Sequence, residues 1–206
     1  MQLKNLLLAG TFAVFALPAL AQTAPTPPTF TPQRISGTVE KFDGKTLGVD
    51  ALDGQALSIL LPDGVRIGAV ENRTLADIKP GDFVGSAAVK GTDGKLHAQE
   101  VHIFPEALRG TGEGHRPMAG PEQTMTNAVV DGMAASADGR VLTLKYAGGT
   151  QQIDVGPNVR VVRLIPGDKS LLKPGASVVV YALKAADGSL TARSVQAEKD
   201  GIKPLM

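Results

Sequence analysis

Short runs of alternating apolar and polar residues cover most of the chain after residue 34, and Asp-Gly or Pro-Gly pairs separate them. Residues 35–39 and 57–61 are two such runs, each with an apolar side chain at every second position. A period of two leaves one face of an extended strand apolar and the other polar. The pattern therefore predicts an all-β protein of short strands joined by tight turns.

The pattern occurs twice, since residues 65–103 align without a gap to residues 159–197. The residues that recur are mostly turn formers and small apolar residues. Proline moves the preceding residue out of the helical region, and glycine accepts a positive φ. We therefore predict structural turns at Lys79-Pro80-Gly81, Asp93-Gly94, Lys173-Pro174-Gly175 and Asp187-Gly188.

Each copy contains about five predicted strands, with one short helical turn before the fourth. This order is typical of a small Greek-key barrel of the OB type. The prediction is two such barrels in tandem, at residues 34–104 and 128–198, and a pair of small sandwiches is the competing geometry. Because each copy buries a modest core and the chain has no cysteine, we expect stability to depend on closed sheets and on packing between the copies.

The remaining segments divide into leader, linkers and tail. Residues 1–21 have the order of a secretory signal peptide, with Lys4 before an apolar run and a small-residue cleavage site ending at Ala21. Cleavage there predicts a periplasmic or fully secreted protein, and a retained membrane anchor is the alternative. Residues 22–33 are a Pro-rich tether, residues 105–127 a Gly/Pro-rich linker without an expected regular element, and residues 199–206 a tail.

Charge argues against two classes of partner. One of the 21 basic residues, Lys4, lies in the leader, which has no acidic residue, so the mature chain has 20 basic and 20 acidic residues. Nucleic acids and anionic membranes are normally met by an excess of Lys and Arg. We therefore predict no nucleic-acid partner and no membrane association after cleavage.

The histidines suggest a metal site. His97, His102 and His115 lie within or just after the last strand of the first copy, near Glu100 and Glu113. Imidazole and carboxylate together suit Zn, Cu or Ni. On an unbulged strand, however, His97 and His102 face opposite sides of the sheet. Surface histidines are therefore the competing interpretation.

The linker suggests a second kind of site. Glycines at positions 110, 112 and 114 could form a backbone nest for an anion or a partner, with Arg109 and Arg116 supplying charge. A flexible spacer is the alternative. The sequence shows no nucleophile arrangement, so we predict no enzymatic activity. An enzyme acting on envelope material would require a polar cluster at one barrel mouth and a pocket of at least about 300 Å³.

The run at 75–84, which contains Lys79-Pro80-Gly81-Asp82, and the run Asp93-Gly94-Lys95-Leu96-His97-Ala98 resemble exported bacterial OB-like domains of unknown function. The resemblance covers both copies, although Ala176 replaces the acidic residue in the second. It implies a fold and no catalytic residues. The layout is also similar to exported proteins labelled "metal ABC transporter permease". That label implies several membrane helices, which the sequence after the leader lacks, so it implies metal handling at most.

These observations predict an exported, non-enzymatic binding or accessory module whose partners are envelope proteins or a small ligand. A soluble metal-handling protein that uses the histidine-bearing strand and linker is one alternative. A structural protein of the cell envelope is another.

Overall fold

The computed structural model describes residues 30–118, 120–137 and 139–204. Nearly all regular structure in these ranges is β-strand, which confirms the all-β prediction. The signal segment at 1–21 and most of the Pro-rich tether lie outside the described residues. Within the described ranges, no helix has the length and apolar character needed to cross a membrane.

Within the described ranges the chain forms thirteen strands and three short 3-10 turns. The strands are β1 (Thr31–Phe42), β2 (Thr46–Ala51), β3 (Ala56–Leu60), β4 (Arg66–Arg73), β5 (Phe83–Lys90), β6 (Leu96–Ile103), β7 (Gly114–Pro117), β8 (Gln123–Ser136), β9 (Gly139–Tyr146), β10 (Gly149–Val155), β11 (Arg160–Pro166), β12 (Ser177–Lys184) and β13 (Leu190–Ala197). The 3-10 turns are Leu75–Asp77, Glu106–Leu108 and Lys169–Leu171.

Five strands close the first barrel in the order β1-β2-β3-β13-β12 and back to β1. All contacts are antiparallel except the β3–β13 contact, which is parallel. The core inside it consists of residues from positions 35–61 and 172–197, with Leu47, Val49 and Ile59 fully buried. The alternation predicted for the first strand is confirmed, because Ile35, Gly37 and Val39 are buried while their neighbours are more exposed.

The second barrel closes in the order β8-β9-β10-β6-β5 and back to β8. Its single parallel contact is short, since only Ile153 and Asp154 of β10 pair with β6. Its core draws on residues from positions 78–103 and 128–161. Two closed rings of five strands in this order fit the OB-like barrel rather than the pair of sandwiches.

The barrels do not follow the copies, which corrects the expected domain boundaries. The first three strands of the first copy close with the last two strands of the second copy, and the converse pairing makes the second barrel. Residues 34–104 and 128–198 are therefore not separate barrels. The two repeats are interlocked within one chain, so the expected dependence of each copy on the other is built into the strand pairing.

The repeated Lys-Pro-Gly turns join each copy to the other. Gly81 has a φ of +91° and donates its N–H to the carbonyl of Val130 on β8 at 2.8 Å. Gly175 has a φ of +87° and donates in the same way to Val39 on β1 at 2.9 Å. Each turn thus bonds to the first strand of the opposite copy. Both Lys-Pro-Gly segments therefore form turns in the structure.

The Asp-Gly turns have the predicted role as well. The Asp93 carboxylate accepts the N–H of Lys95 at 3.0 Å, and the Asp187 carboxylate accepts the N–H of Ser189 at 2.9 Å. Gly94 and Gly188 have φ values of +79° and +87°. These carboxylates are used in closing tight turns, which agrees with their interpretation as turn residues rather than catalytic groups.

The crossing between the barrels is a pair of antiparallel strands. β4 and β11 pair from Gly68–Pro166 to Arg73–Val161, and each also pairs in parallel with a last strand, β4 with β13 and β11 with β6. Val70, Val162 and Leu164 form a small third core there, against which Phe104 and Ile202 pack. This ladder carries each copy from one barrel to the other.

Two predicted linkers contain regular structure. The tether was expected to extend to residue 33, but β1 begins at Thr31 and pairs with β12 from that residue onward. The linker at 105–127 contains a 3-10 turn, β7 and the first residues of β8. In both places pairing with a neighbouring strand outweighs the local preference of Pro and Gly for irregular backbone.

The interlocked pairing predicts how two fragments behave. A chain of residues 30–110 and a chain of residues 111–204 each lack the partner strands of both barrels. Alone, neither should show a cooperative thermal transition by circular dichroism, whereas an equimolar mixture should regain one. Cooperative unfolding of either fragment alone, near the midpoint of the intact chain, would contradict the exchanged pairing.

Alanine substitutions test the two Lys-Pro-Gly turns. Gly81→Ala and Gly175→Ala should each lower the free energy of unfolding by roughly 1–2 kcal/mol, because a Cβ is strained at a positive φ. Gly132→Ala is the matched control, since Gly132 lies in a strand and a Cβ there meets no atom within 4 Å. Urea unfolding of the three variants measures the difference in the free energy of unfolding. A loss for Gly132→Ala as large as for the other two variants would contradict a specific effect of the positive φ.

Candidate functional site

One mouth of the second barrel is built differently from the first barrel. β7 runs along the N-terminal half of β8, from the Gly114–Asn127 pair to the Pro117–Thr124 pair. The carboxylate of Glu113 accepts the N–H of Ala147 at 3.0 Å and so connects β7 to the β9–β10 hairpin. Over the part of the chain that the structure describes, the first barrel has no strand in the corresponding position.

Three hydroxyl side chains line the inner wall of this mouth. Ser86 lies between Val84 and Ala88 on the inner face of β5, and both of these residues belong to the second core. Thr124 and Thr126 continue the inner row of β8 towards its N-terminal end. Ser86 pairs directly with Thr126, and both residues are fully buried. The wall of this barrel therefore changes from apolar to polar towards one end.

The first barrel has an apolar pair at the matching place. Val180 aligns with Ser86 in the repeat, and Val180 pairs with Ile35 of β1 as Ser86 pairs with Thr126 of β8. Val180 and Ile35 belong to the first core. Since an apolar pair fits this barrel geometry, the fold itself does not require the two hydroxyls of the second barrel.

Two of the hydroxyls have no hydrogen-bond partner among the residues that the structure describes. The Oγ of Ser86 and the Oγ1 of Thr124 are both buried and unpaired, whereas the Oγ1 of Thr126 lies 2.8 Å from the Nδ1 of His115. A buried polar group without a partner destabilises the folded state by roughly 1–3 kcal/mol. Such groups need an explanation in a native fold, and a ligand that pairs with them is one.

A shallow cavity of about 460 Å³ opens at this mouth. Thr124 and His115 lie on one side of it, Gln151 of β10 on another, and Leu96 and Gly94 of the β5–β6 hairpin on a third. A neighbouring depression of about 390 Å³ also contacts Gly94, Leu96 and Gln151. Both lie where β10 and β6 pair over only two residues, so the barrel wall is least complete there.

The backbone at the rim of the cavity is strained. Glu122 has a φ of +55°, a left-handed conformation that is unfavourable for a residue with a Cβ, and its carbonyl accepts the N–H of Lys90 at 3.0 Å. Lys90 and Glu122 both line the cavity. Strain of this kind persists only where the surrounding contacts impose it, and it is frequent at binding sites.

Of the five residues of the predicted metal site, the structure brings only His102 and Glu100 into contact with each other. His97 bonds to Asp93 at 3.0 Å, His102 contacts Glu100, His115 bonds to Thr126, and the carboxylate of Glu113 is used by Ala147. Across the described ranges there is no group of three His, Cys, Asp or Glu side chains that could hold a metal ion. The structure therefore offers no site for Zn, Cu or Ni at these residues.

A strand irregularity changes the expected orientation of the histidines. The register of β6 against β5 shifts between the Ala87–Glu100 pair and the Ala88–Ala98 pair. Ala98 and Val101 consequently both face the second core, although three positions separate them. His97 and His102 therefore both lie on the outer face of the sheet, whereas on an unbulged strand they would lie on opposite faces. They still bind different carboxylates.

The His97–Asp93 pair is a surface interaction at the β5–β6 turn. The pKa of the Asp93 carboxyl is lowered, first by its hydrogen bond with His97 and then by the N–H of Lys95. Both side chains are about half exposed, at 49% for His97 and 47% for Asp93. This arrangement agrees with the interpretation of His97 as a surface residue.

Glu100 is a buried carboxylate at the crossing between the barrels. Its side chain is 1% exposed and contacts His102 through one oxygen and the Nη1 of Arg160 through the other, at 2.8 Å. The other terminal nitrogen of Arg160 donates to the carbonyl of Lys203. Glu100 thus connects the last strand of the first copy to β11 and to the C-terminal tail, and its role is structural.

The two linker arginines are held by local partners. Arg109 bonds to Glu106 at 2.6 and 2.7 Å and to the carbonyl of Gly81 at 3.1 Å. The pairing with Arg109 lowers the pKa of Glu106. Arg116 donates to the carbonyl of Gly112 at 2.7 Å. The linker carbonyl of Gly112 thus faces a guanidinium, and the anion site stays a prediction.

Sequence reasoning missed the polar residues at this end of the barrel, namely Ser86 and Thr126 on its inner wall, and Thr124 and Gln151, which line the cavity. A signal for the first of them was present, because Ser86 aligns with Val180 in the repeat and both lie at the centre of a strand. At this buried position one copy has a polar residue and the other copy has an apolar residue in the alignment. Such a difference marks a polar residue that the fold itself does not require.

No family model, no curated protein and no solved structure matches this chain. The resemblance to exported OB-like domains therefore remains an expectation, and function has to be argued from the site.

Breaking the buried Glu100 pair tests its structural role. Glu100→Ala should lower the free energy of unfolding by roughly 3 kcal/mol, because it leaves Arg160 and His102 without their shared carboxylate. Glu106→Ala is the matched control: it removes an exposed pair with Arg109, which solvent screens, and should leave the urea midpoint almost unchanged. Equal losses of stability for the two variants in urea unfolding would contradict a larger contribution from the buried ion pairs of Glu100.

Proposed function

We propose that this protein is an exported binding module that takes a small polar ligand at the mouth of the second barrel. The observation that carries the proposal is the unpartnered hydroxyl of Thr124 in the lining of a cavity of about 460 Å³, together with the unpartnered hydroxyl of Ser86 on the inner wall of the same barrel. The first barrel supports it as an internal reference, because Val180 and Ile35 fill the corresponding place with apolar groups. Export is inferred from the leader at residues 1–21.

The neutral charge of the mature chain fits this role. The cavity contains one Lys and one Glu at its rim, and its inner wall carries hydroxyl and amide groups. This composition offers hydrogen bonds without a strong field, so it favours recognition of a small molecule over attraction of a nucleic acid. The ligand reaches the site through the incomplete wall between β10 and β6.

An enzyme acting on envelope material is the second candidate, because the polar mouth and a pocket above about 300 Å³ are both present. His115 beside the hydroxyl of Thr126, at 2.8 Å, is the one contact here that resembles a base and a nucleophile. Thr126 is fully buried, however, and so is poorly placed to attack a substrate. Binding is the function that this geometry supports better.

The other two alternatives have less support. Metal handling through the histidine-bearing strand lacks a cluster of ligands in the described part of the chain. A purely structural role in the envelope gives no reason for burying hydroxyls that destabilise the fold. Envelope proteins stay candidate partners that would contact the outer faces of the barrels. The cavity residues give no evidence for or against such contacts.

Replacing the polar pair by the residues of the first barrel tests the proposal. Ser86→Val with Thr126→Ile should fold and be as stable as the parent chain or more so by roughly 1–2 kcal/mol, because a buried unpaired hydroxyl is removed. The parent chain should show amide shifts at Leu96, Thr124 and Gln151 with at least one of four probes: N-acetylglucosamine, glycine, phosphate and cyclohexanol. The double variant should lose them.

The control for this experiment is Thr46→Val, which changes a partly buried threonine of the first barrel. It should keep every shift that the parent chain shows. If no probe shifts the three cavity amides of the parent chain, the cavity is not the binding site. If the double variant keeps the shifts, the buried Ser86–Thr126 pair does not support binding there.

A further inference from the structure

We infer that the ligand of the second barrel is a small, uncharged, polyhydroxylated molecule of the size of one or two sugar units. This inference rests on the proposed function, because it specifies what the cavity beside Thr124 and Gln151 binds. It follows from the charge, the hydrogen-bonding groups and the apolar surfaces around the cavity.

The charge of the cavity excludes a strongly ionic ligand. Lys90 and Glu122 stand at the rim with opposite charges and are joined through their backbones, so neither sign predominates. Among the described residues no Arg lines the cavity, and the guanidinium groups of Arg109 and Arg116 are directed to Glu106 and to backbone carbonyls. A phosphate or carboxylate ligand would normally be met by an Arg fork or by several cations.

The hydrogen-bonding groups of the cavity can both donate and accept. A serine or threonine hydroxyl has one proton and two lone pairs, and a glutamine carboxamide carries a donor and an acceptor side by side. Thr124 has an unpartnered hydroxyl, and Gln123 and Gln151 supply two carboxamides. Gln151 is oriented by a contact of its Nε2 with the hydroxyl of Tyr146 at 3.5 Å. Hydroxyl groups of a ligand have the same dual character, so they can satisfy such a wall in either direction.

The apolar surfaces of the cavity are small and aliphatic. Leu96 and Pro117 contribute them, and among the described residues no Phe, Tyr or Trp ring lines the site, where the imidazole of His115 is bonded to Thr126. Aliphatic patches of this size fit the C–H faces of a saturated ring, whereas a flat aromatic ligand would be expected to meet an aromatic side chain. A saturated ring with several hydroxyls satisfies both the polar and the apolar parts of the lining.

The size of the cavity sets an upper limit on the ligand. A volume of about 460 Å³ lies in the range of small-molecule sites and the adjoining depression of about 390 Å³ shares its wall. One ring would occupy the cavity beside Thr124, and a second could extend over Gly94 towards Gln152. A ligand of many sugar units would have to extend out of the cavity across the outer surface of β10.

Titration of the full mature chain, followed through its backbone amides, tests the ligand class. N-acetylglucosamine and glucose are the polyhydroxylated probes, with phosphate as the anion and cyclohexanol as the neutral apolar ring. We expect one of the sugars to shift the amides of Leu96, Thr124 and Gln151 to saturation, with a dissociation constant in the millimolar range or below. The chemical-shift changes that phosphate and cyclohexanol cause at these three amides should be at least tenfold smaller.

Thr124→Val is the matching variant, because it keeps the shape of the side chain and removes one unpartnered hydroxyl. It should weaken sugar binding by about fivefold, the loss expected for one hydrogen bond. Thr46→Val in the first barrel should change nothing. Equal sugar affinity of Thr124→Val and the parent chain would overturn the inference that the inner hydroxyl recognises the ligand.

The outcomes separate this inference from the proposed function. If phosphate or cyclohexanol shifts the cavity amides and neither sugar does, the ligand class is wrong and the binding site stands. If a sugar shifts amides elsewhere and leaves the cavity unchanged, the inference fails as well. If no probe affects the cavity, both the ligand class and the proposed function fail.

Discussion

The structure depends on main-chain pairing between the two copies of the repeat. Each Lys-Pro-Gly turn donates to the first strand of the opposite copy, at Val130 in one case and Val39 in the other. Buried backbone groups must be paired, so once these bonds form, the first three strands of one copy can close a barrel only with the last two of the other. The β4–β11 ladder completes the exchange, and separate barrels would leave both crossing strands without their partners.

Much of the fold could be predicted from the sequence, but the partner of each strand could not. Alternation gives strands and faces, and the turns at Gly81, Gly94, Gly175 and Gly188 are readable because a positive φ requires glycine. The two copies, however, carry the same strand pattern, so closure within a copy and closure between copies look alike locally. The continuation of residues 66–73 into an extended crossing strand decides between them, and that depends on pairing with β11.

The site was harder to predict than the fold, for a reason that the histidines illustrate. They attract attention because the chain has only three, yet each finds an ordinary partner, and the bulge in β6 reverses the expected facing of His97 relative to His102. Ser86 and Thr124 are common residue types, and nothing in their spacing suggests chemistry. Their significance comes from burial without a partner, which a sequence does not show.

The two barrels provide a comparison that a single barrel cannot. Both use the same strand order, and the Val180–Ile35 pair shows that the position accommodates a purely apolar interior. Keeping Ser86 and Thr126 there makes the second barrel less stable than this geometry allows, because hydroxyls lose water on burial and Ser86 gains no partner in return. A strained Glu122 lies at the same mouth. These two departures from the most stable barrel, both at one end of the second barrel, are better explained by a requirement for binding than by chance variation of a structural repeat.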